Sequence, residues 1–302
     1  MNAKAIAKEF RLECQLRRLS ERTIRGYYNN VLQFLNFVEK EVAIDQIEDI
    51  HTTHIKQYVQ YLLGKKLTPS YANGIIKCLR AYFKFAYQEE YIRADPTQKV
   101  NWQREPKVLI QTFHDDEVRG LLNAFDYTTY LSARNKLILA IAFDTGARNT
   151  EICEIKRQDI RENMILIHGK GNKERYVPIS PSLRRIMFKY ERMRDYYFYD
   201  KILRYDNYLL SRTGSPLTKE ALEHIFNQAN KAAPVRKEIR CSPHTARHYY
   251  AQACLRNGLD VYSLSRLLGH ENINITKRYL QSLEDTSIVE MAVSVSPLHN
   301  LK

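Results

Sequence analysis

One interval constrains this chain more than any other. Residues 164–179 interrupt a hydrophobic pattern that is otherwise largely helical. Met164-Ile165-Leu166-Ile167 and Arg175-Tyr176-Val177-Pro178-Ile179 are short β-type runs, and between them the stretch His168-Gly169-Lys170-Gly171-Asn172-Lys173 holds two glycines and an asparagine. Two such runs around a turn-rich loop predict a hairpin. The fold class expected is therefore mainly α with one small antiparallel β-sheet.

The helices before that interval read from spacing and from their start and stop residues. Ser20 is a candidate N-cap, followed by Ile24, Tyr27, Tyr28, Val31, Leu32, Leu35 and Val38 at one-face helical intervals. A second helix is expected from about Thr53, burying Ile55, Tyr58, Val59 and Leu62 and stopping at Gly64. A third starts at Thr68-Pro69-Ser70, with proline suited to the first turn, and buries Ile75, Ile76, Leu79, Phe83 and Tyr87. Asp95-Pro96 ends the run, and the polar stretch Asn101–Lys107 reads as a linker. Beyond it, helical patterns cover about 115–125 and 131–143. They resume from Ser180 to the end, with breaks near Asn207, Pro234 and Gly258.

Charge narrows the partners. The chain of 302 residues has 47 Lys and Arg against 34 Asp and Glu, a net charge of +13. The excess is +6 over residues 1–108 and +7 over 109–302, as expected if both parts meet one long polyanion. No apolar run approaches the roughly 20 residues of a membrane span, and the start lacks a secretory pattern, so no membrane association and an intracellular, cytoplasmic site are expected. Five cysteines without a CxxC pair suggest buried thiols, not a disulfide framework or a zinc knuckle.

Four segments of the second part carry chemistry: Thr145-Gly146-Ala147-Arg148-Asn149-Thr150-Glu151; Gly169-Lys170-Gly171-Asn172-Lys173-Glu174-Arg175; His244-Thr245-Ala246-Arg247-His248; and Leu268-Gly269-His270 with Tyr279 nine residues on. Each alone is weak, but their joint order is specific. In that order the chain resembles the tyrosine recombinase (phage integrase) family, most closely its compact Xer-like members, over nearly its whole length. The resemblance implies a two-domain architecture: a helical, SAM-like core-binding domain over 1–100, a linker over 101–108, and a mixed α/β catalytic domain over 109–302 that ends in a C-terminal tail.

The chemistry of such a set is intelligible from its residue types. In-line attack on a phosphodiester concentrates negative charge on the non-bridging oxygens, and fixed donors aimed at that charge are usually the largest catalytic term. Arginine suits the task because its planar fork grips two oxygens and stays protonated. By the resemblance, Arg148 and Arg247 are the phosphate clamp and Tyr279 the nucleophile, forming a 3′-phosphotyrosine and releasing a 5′ hydroxyl. The Thr-Gly before Arg148 suggests a helix start whose free N–H groups also favour anions. Lys170 matches the family's hairpin lysine, the general acid for the leaving 5′ oxygen, with Lys173 as its competitor. His244, three residues before Arg247 on one helix face, is expected to exchange a proton with Tyr279 or to bond the phosphate. His270 is expected to bond a non-bridging oxygen. Glu151 is expected to orient the Arg148 guanidinium from behind, and His248 to be structural.

The function implied is a site-specific DNA recombinase that needs no cofactor, metal or ATP. Its partner would be double-stranded DNA core sites gripped by both domains in a C-shaped clamp. Four copies on two sites, or copies paired with a second recombinase, would exchange strands through a Holliday junction, in Xer-like recombination or in integration and excision of a mobile element by transposition. A non-catalytic helical DNA-binding regulator and a type IB topoisomerase are the alternatives. Ala147 and Asn149-Thr150 depart from the residues the family usually has around its first arginine, which bears on subfamily. The tail has an apolar stripe at Ile288, Val289, Met291, Ala292 and Val293, suited to packing on its own domain or on a neighbouring subunit.

Overall fold

A computed structural model describes residues 1–106, 109–169, 171, 173–281, 289, 292 and 293. Lys170 and, of the apolar tail stripe, Ile288 and Met291 lie outside the described residues. The chain forms two compact units, 1–107 and 108–302. Among the described residues no helix is long and apolar enough to cross a membrane.

The first unit is built from α1 (Ala3–Leu16), α2 (Glu21–Val42), α3 (Thr52–Gly64) and α4 (Pro69–Gln88). Ser20 Oγ accepts from the Thr23 N–H and Thr68 Oγ1 from the Tyr71 N–H, so both predicted caps close the first turn of their helices. One core gathers Ile6 and Phe10 of α1, Val31, Phe34 and Leu35 of α2, Ile55 and Tyr58 of α3, and Ile75, Leu79, Tyr82 and Phe83 of α4. Tyr87, expected inside, is half exposed, because Ala86 takes the inward position one turn after Phe83. The segment expected to be a linker is fastened at its start. Asn73 exchanges hydrogen bonds with the backbone of Gln103, Arg80 Nη2 donates to the Val100 carbonyl, and the Arg80 guanidinium stacks 4.2 Å from the Trp102 ring.

The second unit is organised around α6 (Tyr130–Thr145), which is buried on nearly every side and carries little amphipathic bias. Around it stand α5 (Asp115–Asn123), α7 (Asn149–Glu154), α8 (Pro181–Tyr197), α9 (Lys219–Ala232) and α10 (Pro243–Arg256). Two short helices, α11 (Val261–Leu268) and α12 (Ile273–Leu280), pack on α10 through Tyr250, Leu255, Leu264, Leu268 and Tyr279. The hairpin forms as expected, β1 (Met164–Gly169) pairing antiparallel with β2 (Lys173–Pro178) in a register that sets Ile165 opposite Val177 and Ile167 opposite Arg175. Residues facing one another across the ladder share a face, so Ile165, Ile167, Arg175 and Val177 all point inward. The sheet is mainly a carrier for that inward row and for the loop between its strands.

Candidate active site

Two glycine turns and one helix bring the candidate residues together. Gly146 ends α6 in the left-handed conformation, at φ +61°, and puts Arg148 at the start of α7. Gly269 ends α11 in the same way, at φ +65°, and is followed at once by His270. Between them α10 presents Arg247. Its Nη1 donates to the Gly146 carbonyl at 2.7 Å and its Nη2 to the Leu268 carbonyl at 2.6 Å. The guanidinium of Arg247 thus ties the two glycine turns together while itself being 4% exposed. Burial, followed by the charge of Arg148, lowers its pKa to about 10, which leaves it a cation at neutral pH.

Arg148 is held from the other side. Its Nη1 donates to Glu151 Oε1 at 2.8 Å and its Nη2 to the Gly269 carbonyl at 3.3 Å, yet its side chain stays 42% exposed. The backbone N–H of Arg148 also donates to Glu151 Oε2, at 2.7 Å. That donor is therefore satisfied inside the protein and is not open to an anion. Glu151 is itself buried and accepts two more bonds, from Arg175 Nη1 at 3.0 Å and Nη2 at 2.7 Å. Burial alone would raise the Glu151 carboxyl. The bonds and charge of Arg175, with those of Arg148, outweigh it and hold the pKa at about 2.

Arg175 lies in one of the four segments but was given no role from the sequence. Its register opposite the buried Ile167 was the available signal, since an inward arginine needs an acid and a carbonyl. It finds them in Glu151 and in Leu267, whose carbonyl accepts from Nε at 2.7 Å. The side chain lies so close to Gly269 that a Cβ there would meet its Cδ and Nη1 at 3.1 Å. Arg148, Arg175 and His270 line one open cleft of about 1190 Å³, together with Lys173, Arg266 and Ile275.

Tyr279 is 3% exposed and approaches the arginines from α12. Burial raises its pKa; the charges of Arg247, Arg278 and Arg148 oppose that, so both arginines expected to form the clamp act on the phenol electrostatically. Its hydroxyl lies 2.8 Å from Nδ1 of His248, a residue expected to be structural. The ring of His244 stands beside it, centroid to centroid 4.2 Å from that of His248. His244 has its pKa lowered by partial burial and then by Arg247 and Arg240. His270 completes the group with Nε2 2.9 Å from Arg247 Nη2 and Nδ1 2.8 Å from Thr276 Oγ1. Lys173, the competitor for the general acid, has its ammonium 2.6 Å from Glu271 Oε1.

A buried phenol with an imidazole on its hydroxyl and arginine charges acting on it has the groups that transfer to and from a phosphoryl centre requires. The chain belongs to the phage integrase family: the family's model matches residues 111–285, and the model for the phage integrase N-terminal SAM-like domain matches residues 6–93. It is similar to the tyrosine recombinase XerC of Bacillus pumilus strain SAFR-032, with 30% identity over 270 residues and 87% of each chain covered. Its fold is similar to that of the XerH site-specific recombinase bound to a palindromic difH substrate in a post-cleavage complex (TM-score 0.74, 19% identity, 97% of this chain and 85% of that one). It is also similar to a lambda integrase tetramer bound to a Holliday junction (TM-score 0.70, 18% identity, 92% and 77% covered).

Proposed function

We propose that the chain is a site-specific DNA recombinase that cuts and rejoins duplex DNA through a 3′-phosphotyrosine. The observation that carries this reading is the convergence of Arg148, Arg247, His270 and Tyr279, which come from separate segments of one unit. Arg148 and Arg247 would bind the non-bridging oxygens of the scissile phosphate, and His244 and His270 would add hydrogen bonds to the same charge. Tyr279 would attack phosphorus as Lys170 protonates the departing 5′ oxygen. The phosphotyrosine keeps the bond energy, so a 5′ hydroxyl can reverse the step without ATP.

Tyr279 is buried in the free protein, so a phosphate would reach its hydroxyl only after the groups that cover it give way on DNA binding. Four copies on two core sites, acting in pairs, would carry the exchange through a four-way junction, as the lambda integrase tetramer is arranged on one. The place of action would be the cytoplasm, on the nucleoid.

The test is a nicked suicide duplex carrying the target site, whose cut fragment diffuses away. Wild-type protein should accumulate a covalent protein–DNA adduct in EDTA, and Tyr279→Phe should bind the duplex and form none. An adduct with Tyr279→Phe, or none with the wild type on any site it binds specifically, overturns the reading.

A further inference from the structure

We infer that His248 takes the phenolic proton of Tyr279 as the phosphotyrosine forms, and returns it on rejoining. This deepens the function proposed above and rests on it. The contact is direct: Nδ1 of His248 lies 2.8 Å from the reacting oxygen, with the rings tilted 58° and centroids 5.5 Å apart. His248 directly follows Arg247 on α10, so the phosphate clamp and the proton acceptor are neighbours on one rigid element. A phosphorus drawn to Arg247 is drawn toward the phenol that His248 already holds.

The state of the imidazole suits acceptance. Burial, then the positive fields of His244 and Arg247 on its own helix and of Arg278 on α12, lowers its pKa to about 4. At neutral pH the ring is therefore uncharged. With its proton on Nε2, Nδ1 has a lone pair to accept from the phenol, which burial keeps protonated. So weak a base does not deprotonate a resting tyrosine, and the nucleophile stays masked until a phosphate arrives.

During attack the order of basicities reverses. The bond from Oη to phosphorus forms while that from phosphorus to the 5′ oxygen breaks, and an aryl ester oxygen is far less basic than imidazole. The proton of Oη passes to Nδ1, the general acid supplies a separate proton to the 5′ oxygen, and no oxidant or metal enters the balance. The anionic phosphate beside the ring favours the imidazolium while the proton resides there. Rejoining runs the same transfers backwards.

The experiment measures single-turnover cleavage of the suicide duplex by six proteins: wild type, His248→Ala and His248→Gln, each with ordinary tyrosine or with trifluorotyrosine at position 279, whose phenol is more acidic. With ordinary Tyr279, both His248 variants should lose about 10²-fold or more in cleavage rate, in line with general-base contributions, while binding the duplex within about twofold of wild type. With trifluorotyrosine both should recover to within about tenfold of the wild-type rate. His248→Gln keeps a hydrogen-bonding group without a basic nitrogen, so it carries the test if the alanine variant fails to fold. Wild-type cleavage by His248→Gln, or an equal loss with either tyrosine, overturns the proton transfer and leaves His248 a packing residue. If wild type itself forms no adduct, the recombinase reading fails, and that result is read before any variant is compared.

Discussion

Arg247 Nη2 lies 2.9 Å from His270 Nε2, and this contact determines which nitrogen of the histidine carries a proton. A guanidinium can only donate, so Nε2 accepts. The proton then sits on Nδ1, which donates to Thr276 Oγ1 at 2.8 Å. Burial first, then the charges of Arg247, Arg148, Arg175 and His248, lower the pKa of this ring to about 4. His270 is thus held neutral by the arginine with which it would share a phosphate.

His270 should accordingly titrate well below an ordinary histidine in the free protein. A phosphate placed on Arg247 offsets that cation and offers Nε2 an acceptor, which favours the protonated ring. Histidine nitrogen NMR should show the His270 transition near pH 4 in the free protein and at higher pH with a bound, uncleavable duplex. A transition near 6.5 in the free protein would contradict the contact described.

Stability should follow the same groups. His244, His248 and His270 all have lowered values, so below about pH 6.5 the unfolded chain binds protons that the folded one refuses. Their contribution is fully present above that pH and is lost as the pH falls toward 4. The melting temperature should decline across this window, and His270→Gln should flatten the decline. An unchanged slope in that variant would remove His270 from the account.

Glu151 should matter to both folding and cleavage. Its carboxylate neutralises Arg175, whose side chain is 11% exposed, and orients Arg148. Removing one partner of a buried ion pair costs about 3–5 kcal/mol, because the remaining charge has no compensation. Glu151→Ala should destabilise the second unit by about that amount, measured in denaturant, and Glu151→Gln by less. Both should lose cleavage with DNA binding retained. Because its pKa is depressed to about 2, the carboxylate's contribution is present above the ordinary 4.5 and is lost as pH falls toward 2.

Much of this was legible in the residues, and the exceptions have physical reasons. Ser20 and Thr68 announced α2 and α4 because capping is local, and two glycines and an asparagine announced the hairpin. The helix α1 went unread although Ile6, Phe10 and Cys14 recur at four-residue intervals, because its charged neighbours dilute the stripe. Residues 198–218 form no helix, though Ile202 and Leu203 look helical in sequence. Their backbone bonds outward instead, the Tyr208 N–H to the Ile155 carbonyl at 2.7 Å and the Asp206 carbonyl to the Arg157 N–H at 3.1 Å. In the candidate site, Arg148, Arg247, His270 and Tyr279 were readable from motif order. The contact of His248 with Tyr279 was not, since the two residues lie 31 apart in the chain and only tertiary packing joins them.

Gly146 gives a test of how the turn serves the clamp. A methyl added there would meet Tyr250 Cδ1 at 2.4 Å and Leu268 Cδ2 at 3.0 Å, on a backbone at φ +61°. Strain of that kind costs about 1–3 kcal/mol before any displacement of the tyrosine. Gly146→Ala should lower the melting temperature by about 5–10 °C. Because the Gly146 carbonyl receives Arg247 Nη1, it should also slow cleavage more than it weakens DNA binding.

Lys170 and Lys173 are separated by a leaving-group experiment. Lys173 already has its ammonium 2.6 Å from Glu271, in a pair whose side chains are 67% and 76% exposed. Such a pair holds little energy, and its loss should alter cleavage by less than about tenfold. Lys170, if it is the general acid, should be needed for a normal 5′ oxygen and dispensable for a bridging sulfur, which leaves without protonation. Lys170→Ala should therefore lose about 10²-fold or more on the ordinary suicide duplex and recover on its 5′-thio counterpart, with Lys173→Ala nearly indifferent to the exchange. Rescue of Lys173→Ala in place of Lys170→Ala would transfer the acid role to Lys173, and its contact with Glu271 would then be the resting position of the proton donor.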